Sequence, residues 1–208
     1  MKRILLMSTA FIFAFALIGC SGNKNLIREK NMQITDLEQR VDSLNSELMS
    51  SRDEMMDIKS ELEKKLAETK QDLEVCLEMK NDLLKIEIPE AVSFNFGSTR
   101  LTDNGKEAIN SVWEVLQDHP DRRILIEGHT DDVPIDESFR HIFPSNWELS
   151  TARASVVLHY LLREHNVDPG RITVSGYGEY HPVAGNDNPE GRAKNRRVVI
   201  SVRDRYKE

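Results

Sequence analysis

Apolar residues recur every seven positions along the first part of the chain. One series is apolar at all six of its positions, namely Ile27, Ile34, Val41, Leu48, Met55 and Leu62. The series that starts at residue 30 is apolar at three of five positions, namely Leu37, Leu44 and Ile58. Together they resemble the a/d seam of a coiled coil, so the pattern predicts a coiled-coil helix over 26–86. The residue types favour a parallel homodimer and leave a trimer open.

Beyond Ile58 the apolar residues continue in a frame displaced by four, which includes Leu66, Leu73, Cys76 and Leu83. Such a displacement locally unwinds a supercoil without ending it. In a dimer, Cys76 of one copy would then face Cys76 of the other. The two would either form an interchain disulfide or pack as small apolar residues of the seam. The alternative for the whole stripe is a helix that packs on its own domain. A stripe of about 60 residues is long for a domain of about 120, which favours the coiled coil.

Composition divides the chain at about residue 87. All seven prolines lie at Pro89 or later, and no aromatic residue occurs between Phe15 and Phe94. Because a globular core needs aromatic and turn residues, we assign the compact domain to 87–208. The predicted strands are 91–96, 123–128, 172–175 and 198–202, and two helices begin near Thr102 and Ser145. The order β-α-β-α-β-β predicts an α+β fold, a two-layer α/β sandwich.

The N-terminus has the features of a secretion signal. Lys2 and Arg3 precede an uncharged apolar run over 4–19, which is short for a membrane span and typical of a signal peptide over 1–19. The sequence Leu17-Ile18-Gly19-Cys20 resembles the lipobox of bacterial lipoproteins. That resemblance implies cleavage before Cys20, acylation of Cys20 (palmitate included) and a lipidated tether over 20–25. Ser21 resembles the outer-membrane sorting class, which implies an anchor that faces the periplasm.

Charge and cysteine content exclude several classes of protein. The formal net charge is −7, with no dense basic tract, which argues against a nucleic-acid-binding protein. Two cysteines cannot make a disulfide framework, and their spacing fits no zinc site. We therefore expect no metal and no cofactor.

Four motifs of the C-terminal part identify a family resemblance. They are Gly128-His129-Thr130-Asp131, Asn146-x-x-Leu149-Ser150-x-x-Arg153-Ala154, Gly176-Tyr177-Gly178-Glu179 and Asn195-Arg196-Arg197-Val198. Their order and spacing resemble the OmpA-like C-terminal domain family. The run Phe143-Pro144-Ser145-Asn146-Trp147-Glu148-Leu149-Ser150 most resembles its MotB branch, the wall-anchoring part of the flagellar stator. The resemblance implies noncovalent binding of the peptidoglycan stem peptide through diaminopimelate.

The resemblance also implies the site residues. It maps the ammonium-binding carboxylate onto Asp131 and the carboxylate-binding guanidinium onto Arg153. Secondary ligand positions fall on Thr130, Asn146, Asn195 and Arg196. The exposed end of diaminopimelate is a zwitterion, which requires one fixed carboxylate and one fixed guanidinium a few ångströms apart. The alternatives are an Asp131–Arg153 salt bridge that only holds the loop, and a helix-capping role for Asn146 or Ser145.

Three other functions are alternatives to a tether. A stator needs a membrane span with an ionisable proton carrier, and residues 4–19 contain no acidic residue. A hydrolase would use His129, Asp131 and Asp132, but no nucleophile motif accompanies them, and we expect His129 to support its loop by hydrogen bonding. The third is a coiled-coil scaffold with a passive terminal domain. We expect a non-enzymatic envelope tether, in which the segment 132–145 shapes the pocket rim or contacts a partner.

Overall fold

The computed structural model describes residues 2–68, 75–80, 83–95 and 98–203, with the backbone alone for 2–22 and residue 80. The chain divides into two compact units, 1–50 and 51–208. Helix α1 runs from Lys2 to Glu68. The side chain of Cys20 lies outside the described residues. No helix in the described part of the chain is both long and apolar enough to cross a membrane.

The predicted seam is exposed in the first unit. Its a residues Ile27, Ile34, Val41 and Leu48 are each 52–54% exposed. The d residues Leu37 and Leu44 are exposed as well. This stretch of α1 therefore presents a continuous apolar stripe to solvent, as a coiled-coil strand without its partner would.

In the second unit the same stripe becomes part of a core. Met55, Ile58 and Leu62 are at most 1% exposed and belong to the hydrophobic core of residues 51–208. This last portion of α1 packs on its own domain, which is the alternative to a coiled coil for this part of the stripe. The heptad pattern could not distinguish the two uses, because both bury one face of a helix.

The predicted continuation of the helix to residue 86 is wrong. Helix α1 ends at Glu68, and strands β1 (Cys76–Lys80) and β2 (Leu83–Pro89) follow it as an antiparallel pair. Alternate residues of β2 are buried, namely Leu84, Ile86 and Ile88, which is the period of a strand. In this region the displaced heptad frame includes Cys76 and Leu83, which are not the residues that the strand buries. Cys76 is an exposed residue of β1 with a free thiol, so it does not lie in a helical seam. Two positions of that frame, 69 and 73, lie outside the described residues.

Five strands form one mixed sheet in the order β1-β2-β5-β3-β4. Strands β3 (Arg123–His129), β4 (Ile172–Gly176) and β5 (Arg197–Arg203) lie within two residues of their predicted bounds. Strand β5 is central and pairs antiparallel with both β2 and β3, while β3 and β4 are parallel. The predicted first strand, 91–96, is instead the short helix α2 (Glu90–Ser93), followed by an isolated bridge between Phe94 and Leu101.

The helices begin where local capping chemistry predicts. Helix α3 (Asp103–Leu116) is capped by Thr102, whose hydroxyl accepts a hydrogen bond from Gly105 N. Helix α4 (Asn146–Glu164) starts with a complete capping box between Ser145 and Glu148. Helix α4 connects the parallel strands β3 and β4 and packs against both. A last short helix, α5 (Pro189–Asn195), leads directly into β5. The predicted α+β class is confirmed; in the described part of the chain, strands β1 and β2 were not predicted, and helix α2 takes up much of the predicted first strand.

Candidate ligand-binding site

The candidate site lies where β3 ends and α4 begins. Thr130 and Asp131 directly follow β3, and both are buried. Gly128 permits this arrangement, because a Cβ there would lie 2.0 Å from the carbonyl oxygen of Ser150 in α4. The Thr130 N–H donates to the Gly178 carbonyl at 2.9 Å, which ties the loop after β3 to the loop after β4. The two loops therefore form one rigid edge of the sheet.

Four charged side chains of alternating sign form a chain at this edge. Arg196 donates from Nη1 to Asp131 Oδ2 at 2.7 Å and from Nε to Glu90 Oε2 at 2.6 Å. The other oxygen of Glu90 accepts a hydrogen bond from Arg153 Nη2. Asp131 and Arg153 thus pair with different partners, and a chain through Arg196 and Glu90 stands in place of the direct salt bridge that was the alternative to a ligand site. We call these four residues the charge cluster.

The environment affects the two guanidinium groups in opposite directions. Burial lowers the pKa of Arg153, against the opposing charge and hydrogen bond of Glu90. For Arg196, burial also disfavours the charge, but its hydrogen bond to Asp131 and the charge of Glu90 raise its pKa overall. Arg153 is only 4% exposed. Its charge at this depth depends on Glu90, since an unpaired buried cation is costly.

Two polar atoms beside these residues are buried without a partner. They are Thr130 Oγ1 and Arg153 Nε. Buried polar atoms in proteins are nearly always hydrogen-bonded, so such atoms next to a charged cluster are candidates for contact with a ligand. Arg153 is itself a member of the charge cluster, and Thr130 directly precedes another member, Asp131. No group of three or more potential metal-ligating side chains occurs in the part of the chain that the structure describes.

Comparison with known proteins establishes the family. The OmpA family model matches residues 93–196, which is half of the chain. The chain belongs to the OmpA family. Its matched region contains three members of the charge cluster, and Glu90 precedes it by three residues.

Several relatives of this OmpA-family chain are MotB-like. It is 33% identical over 153 residues to Motility protein B of Bacillus subtilis, which covers 74% of this chain and 58% of that protein. It is 37% identical over 111 residues to Outer membrane porin F of Pseudomonas aeruginosa, which covers 53% of this chain and 30% of the porin. The chain thus spans less than two thirds of the length of these curated relatives. The predicted resemblance to the OmpA family and its MotB branch is confirmed.

Solved structures show the same fold. A MotB-like protein from Desulfovibrio vulgaris superposes with a TM-score of 0.69 at 25% identity, over 76% of this chain and 95% of the other. The cell wall anchor of the T6SS from Pseudomonas aeruginosa gives a TM-score of 0.60 at 33% identity, over 69% and 97% of the two chains. Each match covers most of the solved chain, so this chain shares the fold of these proteins.

Two predicted site residues of the OmpA-family domain have structural roles. Asn146 donates from Nδ2 to the carbonyls of Asp131 and Val133, at 3.3 and 3.1 Å, and to Glu179 Oε2 at 2.6 Å. The helix cap is Ser145, so Asn146 holds the loop after β3 against the loop after β4. Asn195 is fully buried and exchanges hydrogen bonds with backbone groups of Val183 and Ala184. These contacts position Arg196, the next residue, toward Asp131.

His129 is held by ring packing in place of the expected hydrogen bond. Its Nδ1 atom is buried without a partner, and its ring stacks on Tyr177 with centroids 5.3 Å apart. Burial lowers the pKa of His129 to about 3, and the positive charges of Arg197 and His181 act in the same direction. The imidazole is therefore neutral at physiological pH, which does not suit a general acid.

Sequence reasoning did not identify Glu90. It lies at the start of α2, and its backbone N–H donates to the Arg196 carbonyl at 2.9 Å, which holds it at the cluster. The only available signal was a carboxylate one residue before the predicted first strand. The sequence predicted a strand directly after Glu90 and not a helical turn that begins with it, so it gave no reason to place Glu90 at the site.

The segment 132–145 closes on itself beside the site. Asp136 accepts from the Ser138 N–H at 2.9 Å, and Arg140 Nε donates to the Ile135 carbonyl at 3.0 Å. Its apolar side chains Val133, Phe139 and Ile142 are exposed. The segment thus has internal hydrogen bonds of its own and presents apolar groups to solvent.

Proposed function

We propose that this chain is a non-enzymatic lipoprotein of the cell envelope that ties a membrane to the cell wall by binding peptidoglycan noncovalently. The observation that carries the proposal is the charge cluster with its unpartnered donors. The ligand would be the free end of diaminopimelate in the stem peptide, where an ammonium and a carboxylate share one carbon. The ammonium and the carboxylate of this ligand are complementary to the negative and positive side chains that the cluster already holds in place.

Binding would exchange internal ion pairs for pairs with the ligand. The ligand ammonium would take the place of Arg196 at Asp131, and the ligand carboxylate would take the place of Glu90 at Arg153. Arg153 can hold a carboxylate with two parallel hydrogen bonds, one from the Nε atom that lacks a partner. Thr130 Oγ1 would supply a further contact. The cost of opening internal pairs is offset because Asp131 and Arg153 each regain a partner of opposite charge from the ligand, while Arg196 and Glu90 keep their pair with each other.

The related proteins support binding to the wall. One relative is named as a cell wall anchor, and others are motility proteins of the MotB type. The same similarity favours a second candidate function, the wall-anchoring part of a flagellar stator or another envelope machine. A tether and a machine anchor would share the wall-binding site. They differ at the N-terminus, where we propose that Cys20 carries lipid and that the protein resides at the outer membrane facing the periplasm.

The first experiment tests the wall-binding site. The full chain in detergent is sedimented with purified peptidoglycan sacculi, beside Asp131→Asn and Arg153→Lys, which preserve side-chain size or charge. We expect wild type to pellet and each variant to bind at least about tenfold more weakly, because a hydrogen-bonded charge pair contributes 1.5–3 kcal/mol or so. Thermal unfolding of each variant separates lost binding from lost folding.

Matched controls lie next to each changed residue. Asp132→Asn removes an exposed carboxylate one residue from Asp131, and Arg163→Lys changes an exposed arginine of the same helix as Arg153. Both should pellet like wild type. Failure of wild type to pellet would reject wall binding, and equal pelleting of all variants would reject the assigned residues.

The lipid anchor is tested separately. Cells that express the chain are grown with labelled palmitate, and Cys20→Ser is compared with Cys76→Ser. We expect label in wild type and in Cys76→Ser, and none in Cys20→Ser, because only the thiol at the lipobox can accept the diacylglycerol. Two or three acyl chains would anchor the protein stably, whereas one would not. Unlabelled wild type would favour the machine-anchor alternative.

We further propose that a second copy of the chain covers the exposed stripe over 27–48. Four a positions in succession are apolar and about half exposed, and the seven-residue period matches a two-stranded supercoil. The stripe available to a partner ends before Met55, because Met55 is buried in the chain's own hydrophobic core. Two linked wall-binding domains would bind sacculi more tightly than one, because binding of the first domain raises the effective concentration of the second at the wall.

A further inference from the structure

Two exposed aromatic rings stack on each other beside the charge cluster. The rings of Trp147 and Tyr180 have centroids 5.2 Å apart and planes that differ by 24°. Trp147 is 45% exposed and Tyr180 is 61% exposed, and neither belongs to the hydrophobic core. The core therefore does not account for this pair, and two contiguous exposed rings form a candidate binding surface.

The backbone holds both rings in place. Trp147 lies in the first turn of α4, and its N–H donates to Ser145 Oγ at 3.2 Å. Tyr180 follows Gly178, whose φ of 54° lies in the left-handed region that favours glycine. The Gly178 N–H donates to Ser150 Oγ at 3.0 Å, and this fixes the turn against α4. The stacked pair is thus preformed on rigid elements.

Hydrogen bonds connect the pair to the charge cluster. Asn146, one residue before Trp147, donates to the carbonyl of Asp131 at 3.3 Å. It also donates to Glu179, one residue before Tyr180, at 2.6 Å. One amide therefore joins the loop that carries Asp131 to the backbone positions from which both rings project. Both rings therefore project from the same hydrogen-bonded framework that carries Asp131.

We propose that Trp147 and Tyr180 form a carbohydrate subsite that binds an N-acetylated pyranose ring of the wall glycan. This inference rests on the proposed function and extends it from the stem peptide to the sugar strand that carries it. One face of a β-linked pyranose presents only C–H bonds, which are weakly positive, and the face of an aromatic ring is weakly negative. Each ring has few rotatable bonds, so ordering it costs little entropy.

The neighbouring polar groups fit the rest of a sugar. Hydroxyl and N-acetyl groups project from the rim of the ring, where they need hydrogen-bond partners. Glu179 is the residue before Tyr180, and its carboxylate can accept more than the one hydrogen bond that Asn146 donates to it. An aromatic pair whose neighbouring residue carries a carboxylate suits an amphipathic ring better than a purely apolar partner.

The test uses the full chain and a β-1,4-linked N-acetylglucosamine tetramer, which carries no stem peptide. The chain has two tryptophans, and Trp113 is only 6% exposed, so a change in fluorescence on titration reports on Trp147. We expect a saturable change in wild type and none in Tyr180→Ala. Phe139→Ala removes another exposed aromatic ring, in the 132–145 segment, and should behave like wild type.

Sacculi provide a second readout. Tyr180→Ala and Trp147→Leu should each bind sacculi about 3- to 10-fold more weakly than wild type. Tyr180 is largely exposed, so its replacement keeps the domain folded, and thermal unfolding checks both variants. Unchanged sedimentation of both variants would overturn the carbohydrate subsite, and so would a wild-type chain that shows no saturable response to the tetramer.

A separate arm distinguishes this inference from the proposed function. A free stem tripeptide that ends in diaminopimelate should bind wild type and Tyr180→Ala equally, and Asp131→Asn weakly. Tripeptide binding without any tetramer response rejects the subsite alone. Tetramer binding without tripeptide binding rejects the assigned diaminopimelate site and keeps the subsite. If wild type responds to neither the tripeptide nor the tetramer and does not bind sacculi, both the diaminopimelate site and the carbohydrate subsite are rejected.

Discussion

Charged residues at the candidate site hold one another in position through ion pairs. Arg153 is buried and keeps its charge beside Glu90, while Arg196 bridges Glu90 and Asp131. Such a chain can bind a zwitterion without leaving any charge unpaired, since each ligand group replaces an internal group of the same sign. The arrangement also makes the site polar and rigid before ligand binds, which lowers the entropic cost of binding.

A second residue-scale feature predicts a pH dependence of stability. His129 has a pKa of about 3 in the folded chain, against 6.5 ordinarily. Between these values the unfolded chain binds a proton that the folded chain excludes, so this histidine's contribution to stability is present above pH 6.5 and is lost as the pH falls. We expect a slope of up to about 1.4 kcal/mol per pH unit from this one group.

Denaturant unfolding between pH 7.5 and 5 measures this slope. His129→Gln should flatten the pH dependence, because glutamine does not titrate. His141→Gln changes an exposed histidine and should leave the slope of wild type intact. Equal slopes in wild type and His129→Gln would show that the group is not excluded from protonation in the folded chain.

At the scale of elements, one helix serves two purposes along its length. Over residues 27–48, α1 presents its apolar stripe to solvent, whereas Met55, Ile58 and Leu62 lie in the core of the second unit. The folded second unit therefore includes the end of α1 and the β1–β2 pair. These elements precede the residues that the OmpA family model matches.

Two adjacent methionines test this division. Met55 is 1% exposed and Met56 is 57% exposed. We expect Met55→Ala to lower the free energy of unfolding by about 2–5 kcal/mol, because it leaves a cavity in a packed core. Met56→Ala should change it by less than about 0.5 kcal/mol. Denaturant titration of the full chain, followed by tryptophan fluorescence, makes the comparison. Similar values for the two variants would contradict core packing of this part of α1.

For the whole molecule, association and wall binding are coupled if the stripe over 27–48 is a dimer seam. Leu44 lies at a d position and is 63% exposed, whereas Ser46 lies two residues away on the opposite face. We expect Leu44→Asp to dissociate the chain into monomers in sedimentation-velocity experiments, because a charge at d cannot be buried without a partner. It should also weaken binding to sacculi through the loss of avidity.

The controls for association separate the seam from the thiol. Ser46→Asp adds the same charge outside the seam and should leave the oligomer intact. Cys76→Ser should do the same, because the thiol lies on strand β1 and not in the helical stripe. Dissociation of Cys76→Ser would indicate that a disulfide, rather than the seam, joins two copies.

The sequence by itself determined the features that depend on neighbours along the chain. The capping box of α4, the cap of α3, the strands β3 to β5 and the four family motifs all depend on short-range spacing. The resemblance in these motifs also made Asp131 and Arg153 candidate site residues, because each lies within a short contiguous motif. The period of seven identified the apolar stripe of α1 for the same reason.

Only the tertiary structure decided which groups meet. A stripe of apolar residues has the same pattern whether a second copy or the chain's own sheet covers it, so the heptads could not reveal that Met55 and Ile58 join the core. The alternation in β2 became decisive only with β5 beside it. Glu90 reaches the site across 63 residues of sequence, and no local pattern encodes an ion pair at that distance. Periodicity shows that a face is to be buried, and folding selects what buries it.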